Sequence, residues 1–126
     1  MGKKILVVDD DADFVLLLTK KLAQAGHQVL TAFDAFQAVQ IAHREPPDLV
    51  LLDIKLPAGG GAGVLKNLKS SAKTLNIPII AMSASDSPDL QRDIAKYGLE
   101  GFLKKPFDFG DLLKIVEELF SGGGRK

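Results

Sequence analysis

The sequence has 126 residues, 46% hydrophobic and 25% charged, which is one domain's worth of chain with enough apolar content for a core. Sixteen Lys and Arg balance sixteen Asp and Glu, so the basic excess needed by a general nucleic-acid or anionic-membrane binder is missing. With no Cys and two His, disulfide scaffolds and thiol nucleophiles are excluded, and a structural zinc site lacks its usual ligands. In chain order, Ile5-Leu6-Val7-Val8 is a short β-branched run without alternation, the pattern of a strand buried on both faces. A helix follows, with Phe14, Leu17, Leu18, Leu22 and Ala25 at helical spacing, Asp11 as N-cap and Gly26 as stop. Val29 to Phe33 reads as a second strand and Ala35 to Arg44 as a second helix, ended by Pro46-Pro47. Leu49 to Leu52 is a third buried strand, and Val64, Leu65 and Leu68 mark a helix running to about Thr74. Ile77 to Met82 is a fourth strand, followed by a helix marked by Leu90, Ile94, Ala95 and Tyr97 and stopped by Gly98. Gly101 to Lys104 is a short fifth strand. The last helix starts at Asp108, with Asp111 three residues on as in a capping box, and carries Leu112, Leu113, Val116, Leu119 and Phe120. Residues 1–120 are expected to form one domain and 121–126 a flexible tail or linker stub. No apolar run approaches bilayer length, and the N-terminus enters a strand without a signal-peptide pattern, so the expectation is a soluble, cytoplasmic protein with no membrane partner.

Five strand–helix units without an internal break imply an α/β domain, doubly wound, with a parallel sheet and helices on both faces. Function in such sheets sits at the carboxyl ends of the strands. There the first strand carries Asp9-Asp10, the third Asp53, the fourth Ser83, and the fifth is followed by Lys105-Pro106. Three carboxylates at one edge stay ionised together only beside a cation. Their hard oxygens suit Mg²⁺ (or Mn²⁺), which keeps waters and takes one or two carboxylates plus a phosphate. A carboxylate can also attack a phosphoryl group, with the cation and Lys105 neutralising the transferring oxygens and Ser83 bonding one of them.

These residues resemble the response-regulator receiver domains of two-component signalling, the CheY-like superfamily. The markers are Val8-Asp9-Asp10, Leu51-Leu52-Asp53 with Leu56-Pro57, Met82-Ser83-Ala84 and Lys104-Lys105-Pro106-Phe107, and the match runs from Lys4 to Phe120. The resemblance implies a flavodoxin-like sheet of order 2-1-3-4-5. It implies a switch, not a true enzyme, that accepts a phosphoryl group on Asp53 from a histidine kinase or histidine phosphotransfer protein and catalyses only its own phosphorylation and hydrolysis. Asp10 would bind the metal directly and Asp9 through water, with Asp53 and the backbone carbonyl of Lys55 completing the protein ligands. Ser83 and Lys105 would contact the phosphoryl group, Phe102 would be the switch aromatic that moves with Ser83, and the Lys105-Pro106 peptide would be cis. Readout would fall on the fourth helix, fifth strand and fifth helix, from about Asp86 to Phe120. An output domain or target protein and a homodimer are left open, and no direct nucleic-acid contact is expected.

The family loop Pro-x-Met-Asp-Gly reads Pro57-Ala58-Gly59-Gly60-Gly61 here, without the Met and the acid, so more mobility is expected there. Ser83 replaces the commoner Thr, and Lys55 and Ser85 sit at positions that tune phosphoryl lifetime in the family. On the first helix, Val15 and Leu16 lie off the apolar stripe at about 100° per residue and are expected to face solvent as a docking patch for the partner. Two other functions compete. A haloacid-dehalogenase-type phosphohydrolase would use Asp9-x-Asp11, but this leaves Asp53 unexplained; a receiver-like binding module that never takes phosphate would leave the intact acids, Ser83 and Lys105 unexplained. An EF-hand fails because Phe14 stands at the required Gly. A dinucleotide fold lacks its glycine turn after the first strand, and Gly59-Gly60-Gly61 lacks the Gly-Lys-Ser/Thr of a P-loop.

Overall fold

The computed structural model describes residues 2–57, 60–84 and 88–122. Ten elements alternate: β1 (Lys4–Val8), α1 (Ala12–Gln24), β2 (Gln28–Ala32), α2 (Ala35–Arg44), β3 (Leu49–Asp53), α3 (Gly60–Lys69), β4 (Ile79–Ser83), α4 (Pro88–Tyr97), β5 (Gly101–Lys104) and α5 (Phe109–Ser121). The strands form one parallel sheet in the order β2-β1-β3-β4-β5, as the resemblance implied. Burial follows each strand's place. β3 and β4 are buried at every residue and β1 at all but its first, whereas the edge strands β2 and β5 are partly exposed. Helices cover both faces of the inner strands, so their side chains cannot alternate between core and water. On one face Ile5, Val7, Leu49, Leu51, Ile80 and Met82 pack against Val15, Leu18 and Leu22 of α1 and Leu112 and Val116 of α5. On the other, Leu6, Val8, Val50, Leu52, Ile79 and Ala81 pack against Ala38 and Ala42 of α2 and Val64, Leu65 and Leu68 of α3.

The helix ends follow short-range chemistry. The Asp11 carboxylate accepts the Phe14 N–H at 3.1 Å, Asp34 that of Gln37 at 2.8 Å, and Asp108 that of Gly110 at 2.7 Å. The Asp108 bond thus goes to the second helical residue rather than to Asp111. Gly26 and Gly98, at φ 96° and 64°, take the left-handed conformation that stops α1 and α4. Ser121, placed in the tail by sequence, is the last residue of α5, and Gly122 follows at φ 70°. Ala58, Gly59, Ser85, Asp86, the tail from residue 123 and the side chains of Leu90 and Ile94 lie outside the described residues.

Several boundaries, mostly by one or two residues, and one face differ from the sequence expectations. β2 ends at Ala32 because the Phe33 N–H leaves the ladder for the Gln37 side chain, at 2.8 Å. β4 starts at Ile79, since pairing with β3 begins at the Pro78 carbonyl, which accepts the Val50 N–H. α3 stops at Lys69, not near Thr74. The Ser70 hydroxyl donates to the Lys66 carbonyl and the buried Thr74 hydroxyl donates to the Leu68 carbonyl at 2.7 Å, so side chains satisfy carbonyls that a further helical turn would have used. On α1, Leu16 is exposed as expected, but Val15 is 2% exposed and Leu17 is 44% exposed. Residues 14–18 are apolar without a break, so spacing alone fits two stripes. The stripe that faces the core is Val15, Leu18 and Leu22, because Val15 sits one turn beyond Asp11, whose carbonyl accepts its N–H, directly above the strand the chain has just left.

Gly61, the glycine kept from the family loop, has a steric reason to be one. A Cβ there would stand 2.6 Å from the Ile54 carbonyl carbon and 2.7 Å from its Cα, both backbone atoms, whereas at Gly63 it would meet nothing within 4 Å. Gly61→Ala is therefore expected to destabilise the domain by ~1–3 kcal/mol, and Gly63→Ala to stabilise it by ~0.5–1 kcal/mol. Urea melts of the two variants check the opposite signs.

Candidate functional site

Parallel pairing brings the C-terminal ends of the strands to one edge. Val8 is level with Leu52, Asp53 with Met82, and Ser83 with Lys104. Asp9 and Asp10 follow Val8, and Lys105 follows Lys104, so the sequence-predicted groups meet there. One carboxylate oxygen each from Asp9, Asp10 and Asp53 lie within 4.8 Å of one another. Asp9, Asp53 and Ser83 are buried, while Asp10 is exposed.

Each buried carboxylate has defined partners. Asp9 accepts the Asp11 N–H at 3.0 Å on one oxygen and the Lys105 ammonium at 2.6 Å on the other. Asp53 accepts the Lys55 N–H at 2.9 Å and faces Lys105 Nζ at 3.5 Å. The Ser83 carbonyl accepts the Lys105 N–H at 2.8 Å, and the Lys105–Pro106 peptide is cis, as expected. Burial pushes the Asp53 carboxyl above the ordinary carboxylate range, and the Asp9 charge adds to it, against the Lys55 N–H and the ammonium. Burial works against the Lys105 ammonium, but its bond to Asp9 and the charges of Asp53 and Asp9 outweigh that and hold it above the usual lysine range. With all four groups ionised the cluster carries a net charge of minus two. One divalent cation would balance it, and an all-oxygen set with one exposed carboxylate fits an ion that keeps part of its water.

Asp11 does not join the cluster; its carboxylate caps α1, so Asp9-x-Asp11 is no hydrolase pair. Phe102 is half-buried on β5 and packs with Tyr97 and Leu99 against the α2–α3 core. Of the expected docking pair, only Leu16 lies on the surface. Sequence reasoning gave Phe14 a core place and missed its contact with the site. Its ring lies under the Lys105 ammonium, 4.5 Å from Nζ to the ring centroid. Phe14 packs edge-on against Phe107 at 5.8 Å, and Phe107 against Phe109 at 6.1 Å. A groove of about 420 Å³ opens beside them, lined also by Leu17 and Pro106. The available sign was Phe14's place in the first turn of the helix that leaves the acidic pair.

Because burial raises the Asp53 pKa, the folded form binds more protons than the unfolded chain between the two values, and stability falls as pH rises through that interval. Asp53→Asn removes this burden while keeping the shape. Without divalent cations the variant is expected to melt higher than wild type at about pH 7, with the gap closing as pH falls below the ordinary carboxylate value of about 3.9. Thermal melts in chelator across that range check it.

The family profile described as the response regulator receiver domain matches residues 5–117. The chain is 35% identical over 118 residues to sporulation initiation phosphotransferase F of Bacillus subtilis, covering 94% of each. Its fold is similar to the chemotaxis protein CheY4 of Vibrio cholerae, with a TM-score of 0.86 at 27% identity over 94% of this chain and 98% of that one. It is equally similar, with a TM-score of 0.86 at 26% identity over 96% and 99% of the two chains, to the receiver domain of the sensor histidine kinase PA1611 of Pseudomonas aeruginosa, whose structure has a magnesium ion coordinated in its active-site cleft. A match that begins in β1 and runs into α5 takes in every strand end described above, and the chain belongs to the response regulator receiver domains of two-component signalling.

Proposed function

We propose that this receiver domain is switched by transfer of a phosphoryl group from a phosphohistidine to Asp53. One observation carries the assignment: Asp53 ends the central strand β3 as a buried carboxylate, flanked by a second buried acid and by an ammonium. An Asp53 oxygen attacks phosphorus as the bond to the donor imidazole nitrogen breaks, and the imidazole leaves with the bonding pair and takes a proton from solvent. Lys105 donates to a phosphoryl oxygen, and the Ser83 hydroxyl, at the end of the neighbouring strand, to another.

Asp10, Asp9 and Asp53, with the Lys55 carbonyl, would hold Mg²⁺ (or Mn²⁺), which supplies charge neutralisation on the transferring oxygens when bound. Both oxygens of Asp9 already have partners and Asp10 is exposed, which supports Asp10 as the closer ligand. Phe102 shares the short edge strand with the approach to Lys105, which supports α4, β5 and α5 as the readout surface. Leu16 and Leu17, exposed beside the site, support α1 as the docking face for the phosphohistidine-bearing partner.

Acetyl phosphate with Mg²⁺ is expected to add one phosphoryl mass to wild type and none to Asp53→Asn; equal labelling of the two would overturn the assignment. Leu16→Ser with Leu17→Ser is expected to slow transfer from a phosphorylated histidine phosphotransfer domain by roughly tenfold, the scale of one lost apolar anchor, and to slow labelling by acetyl phosphate much less. The ratio of the two rates is the measurement.

A further inference from the structure

The Lys105 ammonium has a third neighbour that carries no charge. Its Nζ stands 2.6 Å from Asp9, 3.5 Å from Asp53 and 4.5 Å from the centroid of the Phe14 ring. The negative face of an aromatic ring attracts an ammonium but does not compete as a formal anion for its N–H donors. Lysine needs such help, because a four-carbon stem leaves a point charge free to wander. The ring is itself braced. Phe14 is held edge-on by Phe107, Phe107 by Phe109, and α1 is locked at its start by the Asp11 cap.

We propose that Phe14 is a positioning residue for phosphoryl transfer: its ring face holds the Lys105 ammonium at the mouth of the cluster, where it can leave Asp9 for a phosphoryl oxygen. This rests on Asp53 being the phosphoacceptor. Without the ring, the stem samples more rotamers and the ammonium spends less time at the mouth of the cluster. The rate of phosphorylation falls while the acids are untouched.

Replacing Phe14 with phenylalanines carrying increasing numbers of ring fluorines drains the ring face of negative charge at nearly constant size. The labelling rate with acetyl phosphate and Mg²⁺ is expected to fall stepwise along the series, by roughly three- to tenfold at the fully fluorinated end. Phe14→Tyr, which keeps the ring, should stay near wild type, and Phe14→Leu should match the fluorinated end. A second readout needs no activity. In metal-free protein the ε-methylene protons of Lys105 should show an upfield ring-current shift that Phe14→Tyr keeps and Phe14→Leu loses. A flat fluorine series in a protein whose wild type labels at Asp53, or a Lys105 shift unmoved by Phe14→Leu, overturns the positioning role alone. A wild type that takes no label overturns the phosphoacceptor assignment and this role with it.

Discussion

One ammonium between two buried carboxylates is the interaction on which the site depends. Asp9 and Asp53 end neighbouring strands and are both withdrawn from water. Taking carboxylates out of water costs several kcal/mol each, and two side by side also repel. Lys105 meets both, and its bond to Asp9 at 2.6 Å is the tighter. Four ionised groups still sum to minus two, so the arrangement is satisfied for folding but poised to take a cation. Burial is the main reason the Asp53 carboxyl is pushed up, and the neighbouring Asp9 charge adds to it.

The topology forces this meeting. In an all-parallel sheet every strand ends at the same edge, so residues as far apart as Asp9 and Lys105 become neighbours without any long loop. The cluster is tolerable because the inner strands are apolar from Ile5 to Val8, Leu49 to Leu52 and Ile79 to Met82 and are covered on both faces. Hydrophobic burial in β1, β3 and β4 offsets the electrostatic burden at their tips. The polar groups of the cluster sit on the last residue of a strand or within the two residues after it, where solvent begins.

Most of this architecture was legible in the sequence, and the exceptions share a cause. Uninterrupted runs such as Leu49–Leu52 mark inner strands because little else explains four consecutive apolar residues between turn signals. The acids, Ser83 and Lys105 were legible as strand-end residues once the sheet was known to be parallel. Val15 was misplaced because an unbroken apolar stretch from Phe14 to Leu18 has no unique phase, and the phase is set by the cap and the strand below. The early end of α3 was hidden because it depends on hydroxyls folding back on carbonyls, a choice that Ser70 and Thr74 make only in context. Phe14 was hidden for a third reason: its contact is with a residue more than ninety positions away, on another element.

The same geometry bears on how a signal could leave the site. A phosphoryl group shifts a conformational equilibrium only by as much as it interacts differently with the two states. Lys105 is the group best placed to feel that difference, since its present partners are unequal and a new anion on Asp53 would compete directly with Asp9. It is joined to β5, the shortest strand, paired on one side only, and half-exposed. Phe102 is three residues back from Lys105 on that strand and packs, like Tyr97 and Leu99, against the α2–α3 core. A backbone shift that followed Lys105 toward Asp53 would thus meet little resistance from the sheet and would reach the aromatic ring at once. An inner strand such as β3, locked by neighbours on both edges, could not yield in that way. On the proposed function, the switch would belong at the sheet's weak edge, with the chemistry at its rigid centre and one lysine touching both.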